Sequence, residues 1–260
     1  MVTPLGTLRA MSFSSQPSDA PDCLQSFYWS VEAIRSRSVS SVIHRGVVSI
    51  PAPPARLVAD WERDISGRLA LDPGDVEVLS LARSRVRWPD YKHCVQSVAD
   101  WARQLGLGDV LASSDVALMA CRGARYHHDG AQYGGAAFCN LFLSEDRGLD
   151  VHFPLAGLRI PLVRGTVMVF DTGQPHAVIA HDRSSFKAED FSAERDCSQV
   201  FLTWELPIEN TNVAQTLGLR FDTNPSTARE LDDAQVLLNG QPVTVCPDTG
   251  QLLDTVGGSR

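Results

Sequence analysis

The chain has little of what marks a metal-ribbon, membrane or nucleic-acid protein. Its six cysteines, Cys23, Cys94, Cys121, Cys139, Cys197 and Cys246, form no Cys-x-x-Cys pair and no zinc-finger spacing. They therefore read as buried or free thiols in a reducing compartment. No apolar run is long enough to span a bilayer, and residues 1–14 carry a single arginine and only short apolar stretches. Neither a spanning helix nor a secretory signal is indicated, and the expected location is the cytoplasm. Positive charge is also short: 23 Lys and Arg stand against 31 Asp and Glu, a formal charge of −8. Binding to a phosphate backbone or an anionic membrane needs a basic footprint, so nucleic acid and membrane are not expected partners. A small neutral or polar molecule is the expected ligand, and nothing in the sequence sets the oligomeric state. No internal repeat is evident at solenoid spacing.

What is present suits one domain. A chain of 260 residues with 43% hydrophobic content can bury one sizeable core. Residues 1–21, rich in Ser, Pro and Thr, read as a flexible leader, and 22–260 as a single domain. Within it, 22–110 predict helical support over 23–35, 54–65, 72–84 and 90–105, with a strand-like stretch at 42–50. In the second helix Leu57, Trp61 and Ile65 recur at i, i+4 and i+8, which makes one apolar stripe. Residues 115–206 alternate short β-branched and apolar segments with turn residues. They predict strands at 116–121, 125–129, 136–143, 149–153, 158–162, 166–170, 176–180 and 199–206. In the extension 207–260, Asn239-Gly240 predicts a two-residue hairpin turn, read as an appendage.

The chemistry concentrates in His127-His128-Asp129 and in His176, which opens a strand after the turn Gly173-Gln174-Pro175. Side chains alternate along a strand, so His127 and Asp129 share a face while Tyr126 and His128 take the other, as packing residues. Two imidazoles and one carboxylate on one face of a metal, with the opposite face open, make a non-haem Fe(II) centre for oxygen chemistry. A His-x-Asp triplet alone carries little weight; its conjunction with a distal histidine on a strand-turn-strand gives it meaning.

Arg125-Tyr126-His127-His128-Asp129-Gly130, taken with Gly165-Thr166-Val167-Met168-Val169-Phe170-Asp171 and Gln174-Pro175-His176-Ala177-Val178, resembles the Fe(II)/2-oxoglutarate-dependent dioxygenase superfamily over residues 116–206. The resemblance implies a mainly β fold, a double-stranded β-helix (jelly roll), with the N-terminal helices flanking it. It implies His127, Asp129 and His176 as metal ligands and catalytic centre, with Fe(II), 2-oxoglutarate and O2 as cofactor and co-substrates. It also implies hydroxylation of a small molecule coupled to decarboxylation of 2-oxoglutarate to succinate. Retention of Asp129 speaks for hydroxylation, desaturation or cyclisation over halogenation. A cupin-like metalloenzyme that does not use 2-oxoglutarate would keep the same ligands, and a protein-modifying hydroxylase is a further alternative.

The far carboxylate of 2-oxoglutarate calls for a cation, usually an arginine opening the last barrel strand about six residues before an aromatic. Counting back from Trp204 reaches Ser198, so the sequence departs from the pattern. Arg195 is the favoured substitute. Arg183 is a second candidate, and Arg125, which shares the parity of His127, is a third. Asn140 would be an unusual polar group inside a barrel, where it can bond the co-substrate or tie a bulge. His152 reads as core and His181 as surface. The long loop 181–196, with Phe186 and Phe191, is expected to act as a lid.

Overall fold

The computed structural model describes residues 24–68, 72–192 and 196–254. The leader expected at 1–21 and the candidate Arg195 lie outside the described residues. In chain order the elements open with β1 (Leu24–Ser30), β2 (Ala33–Ser38), β3 (His44–Val47), α1 (Ala55–Arg63), β4 (Val76–Leu79), α2 (Leu81–Arg87), α3 (Tyr91–Gln104) and α4 (Gly108–Ser113). The central strands follow: β5 (Val116–Arg122), β6 (Ala124–His127), β7 (Ala136–Phe142), β8 (Leu149–Phe153), β9 (Leu158–Pro161), β10 (Thr166–Asp171), β11 (His176–Ala180) and β12 (Ser198–Pro207). The chain closes with α5 (Thr211–Leu217), α6 (Pro225–Glu230), β13 (Gln235–Leu238), β14 (Gln241–Val245) and β15 (Leu252–Asp254).

Strands β5 to β12 are shared between two antiparallel sheets, alternating except at β8 and β9, which form a hairpin within the smaller sheet. One sheet has the order β3-β10-β7-β12-β5-β4 and the other β6-β11-β8-β9. Apart from the β8–β9 hairpin, every connection from β5 to β12 crosses from one sheet to the other, which winds the chain into a double-stranded β-helix. A third sheet, β15-β14-β13-β1-β2, lies outside this barrel.

Burial on both faces explains why β10 reads as an unbroken apolar run. Val167 and Val169 face the helices, in a core shared with Leu57, Trp61, Val98 and Ala102. Met168 and Phe170 face inward, among Phe142, Val151, Phe153, Ile179 and Phe201. Each such side chain contributes roughly 1.5–3 kcal/mol on burial. On the inner face of the larger sheet the register sets side chains in rows. Phe170 lies beside Phe138 and Phe138 beside Glu205; one row further in, Met168 lies beside Asn140 and Asn140 beside Thr203.

The structure corrects several local expectations. Of the segment 23–35, read as a helix, the described residues 24–35 form the β1–β2 hairpin, with Ser30 paired to Ala33 across Val31-Glu32. Val31 takes φ 58°, which a β-branched residue rarely adopts, so no turn residue announces the hairpin. The expected helix at 72–84 is β4 followed by α2, because Val76–Leu79 pair with β5. The 235–245 hairpin forms as expected, with Asn239 and Gly240 at positive φ, but β13 pairs with β1 and so is part of the third sheet. The stretch after it also braces the barrel: Tyr126 N–H donates to Pro247 O and Phe186 N–H to Asp248 O.

The loop after β11 is not a lid over the metal mouth. It leaves from Ala180, the end of β11 opposite His176, and its rings are buried. Phe186 and Phe191 stack at 5.3 Å and 13°, and Phe191 packs so closely on Gly123 that a Cβ there would lie 2.5 Å from the ring. Such rings plug the far end of the barrel.

Candidate metal centre

His127 ends β6 and His176 opens β11, and the two are direct cross-strand partners. Their rings lie 4.5 Å apart, centroid to centroid. The strand stops at His127, so alternation does not itself orient Asp129. The carboxylate is carried by the following turn, where Asp129 N–H donates to Thr172 O at 2.8 Å. That bond ties the turn to the segment leading into His176. Asp129 Oδ1 stands 3.7 Å from His127 Nε2 and Oδ2 3.7 Å from His176 Nε2. All three ligand atoms lie within 4.8 Å of one another, as the motif predicts.

Both imidazoles are locked in the tautomer that a metal requires. His127 Nδ1 lies 2.6 Å from Arg125 O, and His176 Nδ1 lies 3.0 Å from Gln174 O. A carbonyl oxygen only accepts, so each Nδ1 carries the proton and each Nε2 presents its lone pair to the shared centre. Burial holds His176 neutral, with a pKa lowered to about 3, and the neighbouring His127 adds to this. Burial also pushes Asp129 up, against the pull of His127 and His128. A half-buried carboxylate facing two imidazole Nε2 atoms is the environment that a divalent cation suits. The site opens at the barrel mouth, where the side chains of His127, Asp129 and His176 keep 36%, 23% and 11% of their exposure.

Sequence reading missed the residues that hold the His176 turn. Arg37, from β2, and Asp171, ending β10, form a fully buried pair bonded through both terminal guanidinium nitrogens, at 2.6 and 2.8 Å. Arg37 Nε also donates to Gly134 O, while Asp171 accepts from Ser40 N–H and Gly173 N–H. Thr172 Oγ lies 2.8 Å from both Tyr133 O and Ala136 O. The turn 171–176 and the loop 129–136 are thus one hydrogen-bonded unit. Gly130 is required there, since a Cβ would lie 2.6 Å from Val236 and 3.1 Å from the Gly173 backbone. The one available signal was a lone arginine between Ser36 and Ser38, in a segment read as helix.

The remaining candidates fall elsewhere. Arg125 does not enter the barrel: it pairs with Asp75 at 3.3 Å and lies over the Phe186 ring. Arg183 pairs with Asp190 at the opposite end. Arg37 is the one buried arginine or lysine among the described residues, and Asp171 occupies it. Tyr126 is buried and bonded to His152 Nδ1 at 2.6 Å, as a packing role predicts, and His181 is exposed against Asp150. His128 is partly buried, and burial lowers its pKa.

No family model matches the sequence, and no curated protein matches it. Among solved structures, a Pseudomonas putida prolyl-4-hydroxylase matches at 17% identity, covering 64% of this chain and 92% of that one, with TM-score 0.38. A viral collagen prolyl hydroxylase from Paramecium bursaria Chlorella virus-1, in complex with 2OG, matches at 11% identity over 63% and 94%, TM-score 0.34. Hazelnut (Corylus avellana) vicilin matches at 17% identity over 44% and 27%, TM-score 0.25. The barrel is a double-stranded β-helix carrying a His-Asp-His triad at its mouth.

Proposed function

We propose that this chain is a non-haem Fe(II) oxygenase of the 2-oxo-acid-dependent kind, hydroxylating a small molecule. One observation carries the reading: two Nε2 lone pairs and one half-buried carboxylate converge at a barrel mouth, with both Nδ1 protons committed to backbone carbonyls. His127, Asp129 and His176 fit Fe(II), occupying one face and leaving the other for exogenous ligands. Bound there, iron supplies activation of O2; the protein holds the ligands, sets their protonation and positions the substrate.

The keto acid end of 2-oxoglutarate needs only neighbouring positions on the metal. Its far carboxylate needs a cation: Arg125 and Arg183 pair elsewhere, and Arg195, the favoured candidate, lies outside the described residues. Ser198, standing where that arginine is usual, supports a second reading, a cupin-like metalloenzyme that does not use 2-oxoglutarate.

Anaerobic addition of Fe(II) and then 2-oxoglutarate, followed by optical spectroscopy, separates the two. A metal-to-ligand charge-transfer band, with succinate formed on admitting O2, supports the first reading. Bound iron without a band in any 2-oxo acid supports the second. Loss of iron binding in His127→Ala and His176→Ala is expected under both, and retention of iron in both variants would sink the metal centre itself.

A further inference from the structure

A cavity of about 690 Å³ lies on the helical side of the larger sheet, bordered by α3, α4 and the Trp88-Pro89 turn. Val116 and Trp204 form part of its wall and pack into the helical core, so the sheet separates the cavity from the barrel interior. None of its wall residues belongs to the metal centre.

Two buried polar groups border this cavity. Trp88 is 1% exposed and Tyr91 7%, and their rings meet edge to face at 6.5 Å. Among the described residues, neither Trp88 Nε1 nor Tyr91 Oη has a hydrogen-bond partner. Trp61, packed against Trp88 at 6.4 Å, shows the contrast, since its own Nε1 donates to Ser84 Oγ at 3.0 Å. An indole N–H only donates and a phenol can donate, so a molecule satisfying both must present acceptor oxygens. Unpaired buried donors destabilise a fold, and two at one cavity wall point to a ligand.

Charge at the same end selects an anion. Arg85 lies over the Tyr91 ring, 5.5 Å from its centroid, near the hydroxyl but not aligned to donate to it. Lys92 follows on the first turn of α3, and Asp90 turns to His93 at 3.6 Å, outside the cavity wall. At the other end Arg103 pairs with Asp100 at 2.6 Å and packs on Gly108, next to Asp109. In a chain of formal charge −8, the positive excess in this wall thus falls beside Trp88 and Tyr91. Between the two ends, Val95 and Ala99 of α3 face Leu111 and Ala112 of α4 as an apolar path. Lys92 to Arg103 covers about 16 Å of helix.

We propose that this groove binds an amphipathic monocarboxylate, its head held by Trp88, Tyr91, Arg85 and Lys92 and its apolar chain lying along α3. A carboxylate brings acceptor oxygens and one negative charge, which suits two neutral donors backed by cations. A second anionic end would meet Asp109.

The test is calorimetric titration of the full chain with decanoate, 1-decanol and acetate, each below the concentration at which it aggregates. Decanoate should bind at least tenfold more tightly than either of the others. Trp88→Phe removes the N–H and keeps a ring, and should weaken decanoate about tenfold. Lys92→Gln, at an exposed position, should weaken it about threefold. Thermal melts show that both variants fold, since neither loses a hydrogen bond within the protein. Asp129→Ala disables the metal centre and should leave decanoate binding unchanged. No binding of decanoate, decanol bound as tightly, decanoate affinity unaltered in both folded variants, or its loss in Asp129→Ala each overturns the proposal and leaves the oxygenase reading standing.

Discussion

The mouth and the interior of this barrel treat polar groups in opposite ways. At the mouth, each ligand imidazole donates to a backbone carbonyl, and the turn beside it is held by the Arg37–Asp171 pair and Thr172. One row inward, Asn140 Oδ1 and Thr203 Oγ1 have no partner, and deeper still the Gln199 amide has none. The contrast separates two uses of buried polarity. Where hydrogen bonds are complete they fix a geometry in advance; where they are absent, the fold carries unpaired groups at a cost in stability.

The largest effect should come from breaking the mouth. Asp171→Ala leaves Arg37 charged and buried and should destabilise by about 3–5 kcal/mol in denaturant unfolding, or prevent folding. Arg37→Lys keeps the charge but loses the two-pronged geometry, and should weaken metal binding about tenfold, measured by competition with a chelator. A stability near wild type for Asp171→Ala would show that the turn does not depend on the pair.

Metal itself should come next. Fe(II), or Mn(II) as a redox-inert substitute, at a hundredfold excess over its dissociation constant should raise stability by about 2.7 kcal/mol, and Asp129→Ala should abolish that gain. A gain that survives Asp129→Ala would place the cation elsewhere. Thr172→Val, which removes the hydroxyl between two loop carbonyls, should cost about 1 kcal/mol in denaturant unfolding.

The interior should respond with the opposite sign. Gln199→Leu should stabilise the ligand-free protein by about 1 kcal/mol, because no hydrogen bond is lost and an unpaired amide is removed. Destabilisation in that variant would mean that the amide is satisfied in solution and that the two regions are alike.

The smallest effect lies outside both. His181 is exposed and bonded to the buried Asp150, and that hydrogen bond raises its pKa above the usual 6.5. A pKa raised on folding stabilises fully below the unfolded value, and the contribution fades as pH rises through the folded value. Melting temperature should thus fall slightly through that window, and His181→Ala should flatten this part of the profile. An unchanged slope would show the bond to be absent in solution.

Much of the site was legible because it is written in local chemistry. His127, Asp129 and His176 stand out by residue type and by the turn chemistry around them, and the central strands fall within a few residues of their expected positions. Helix α1 was equally readable, since Leu57, Trp61 and Ile65 form one stripe and all three are buried. The β1–β2 hairpin was not, because its turn rests on Val31 at a positive φ instead of a turn-forming residue. Arg125 was misplaced for a related reason. Parity says which face a side chain leaves from, but Asp75 and Phe186, distant in the chain, decided where its guanidinium went.

The barrel strands and the three candidate ligands could be read from the chain alone, because strand periodicity and donor chemistry are carried by neighbouring residues. Long-range packing settled that Arg37 would meet Asp171, that Phe186 and Phe191 would plug the far end, and that Asn140 and Thr203 would face each other unsatisfied. Each of those outcomes depends on which strands pair and in what register, and that is set by burying the whole core at once rather than by any one segment.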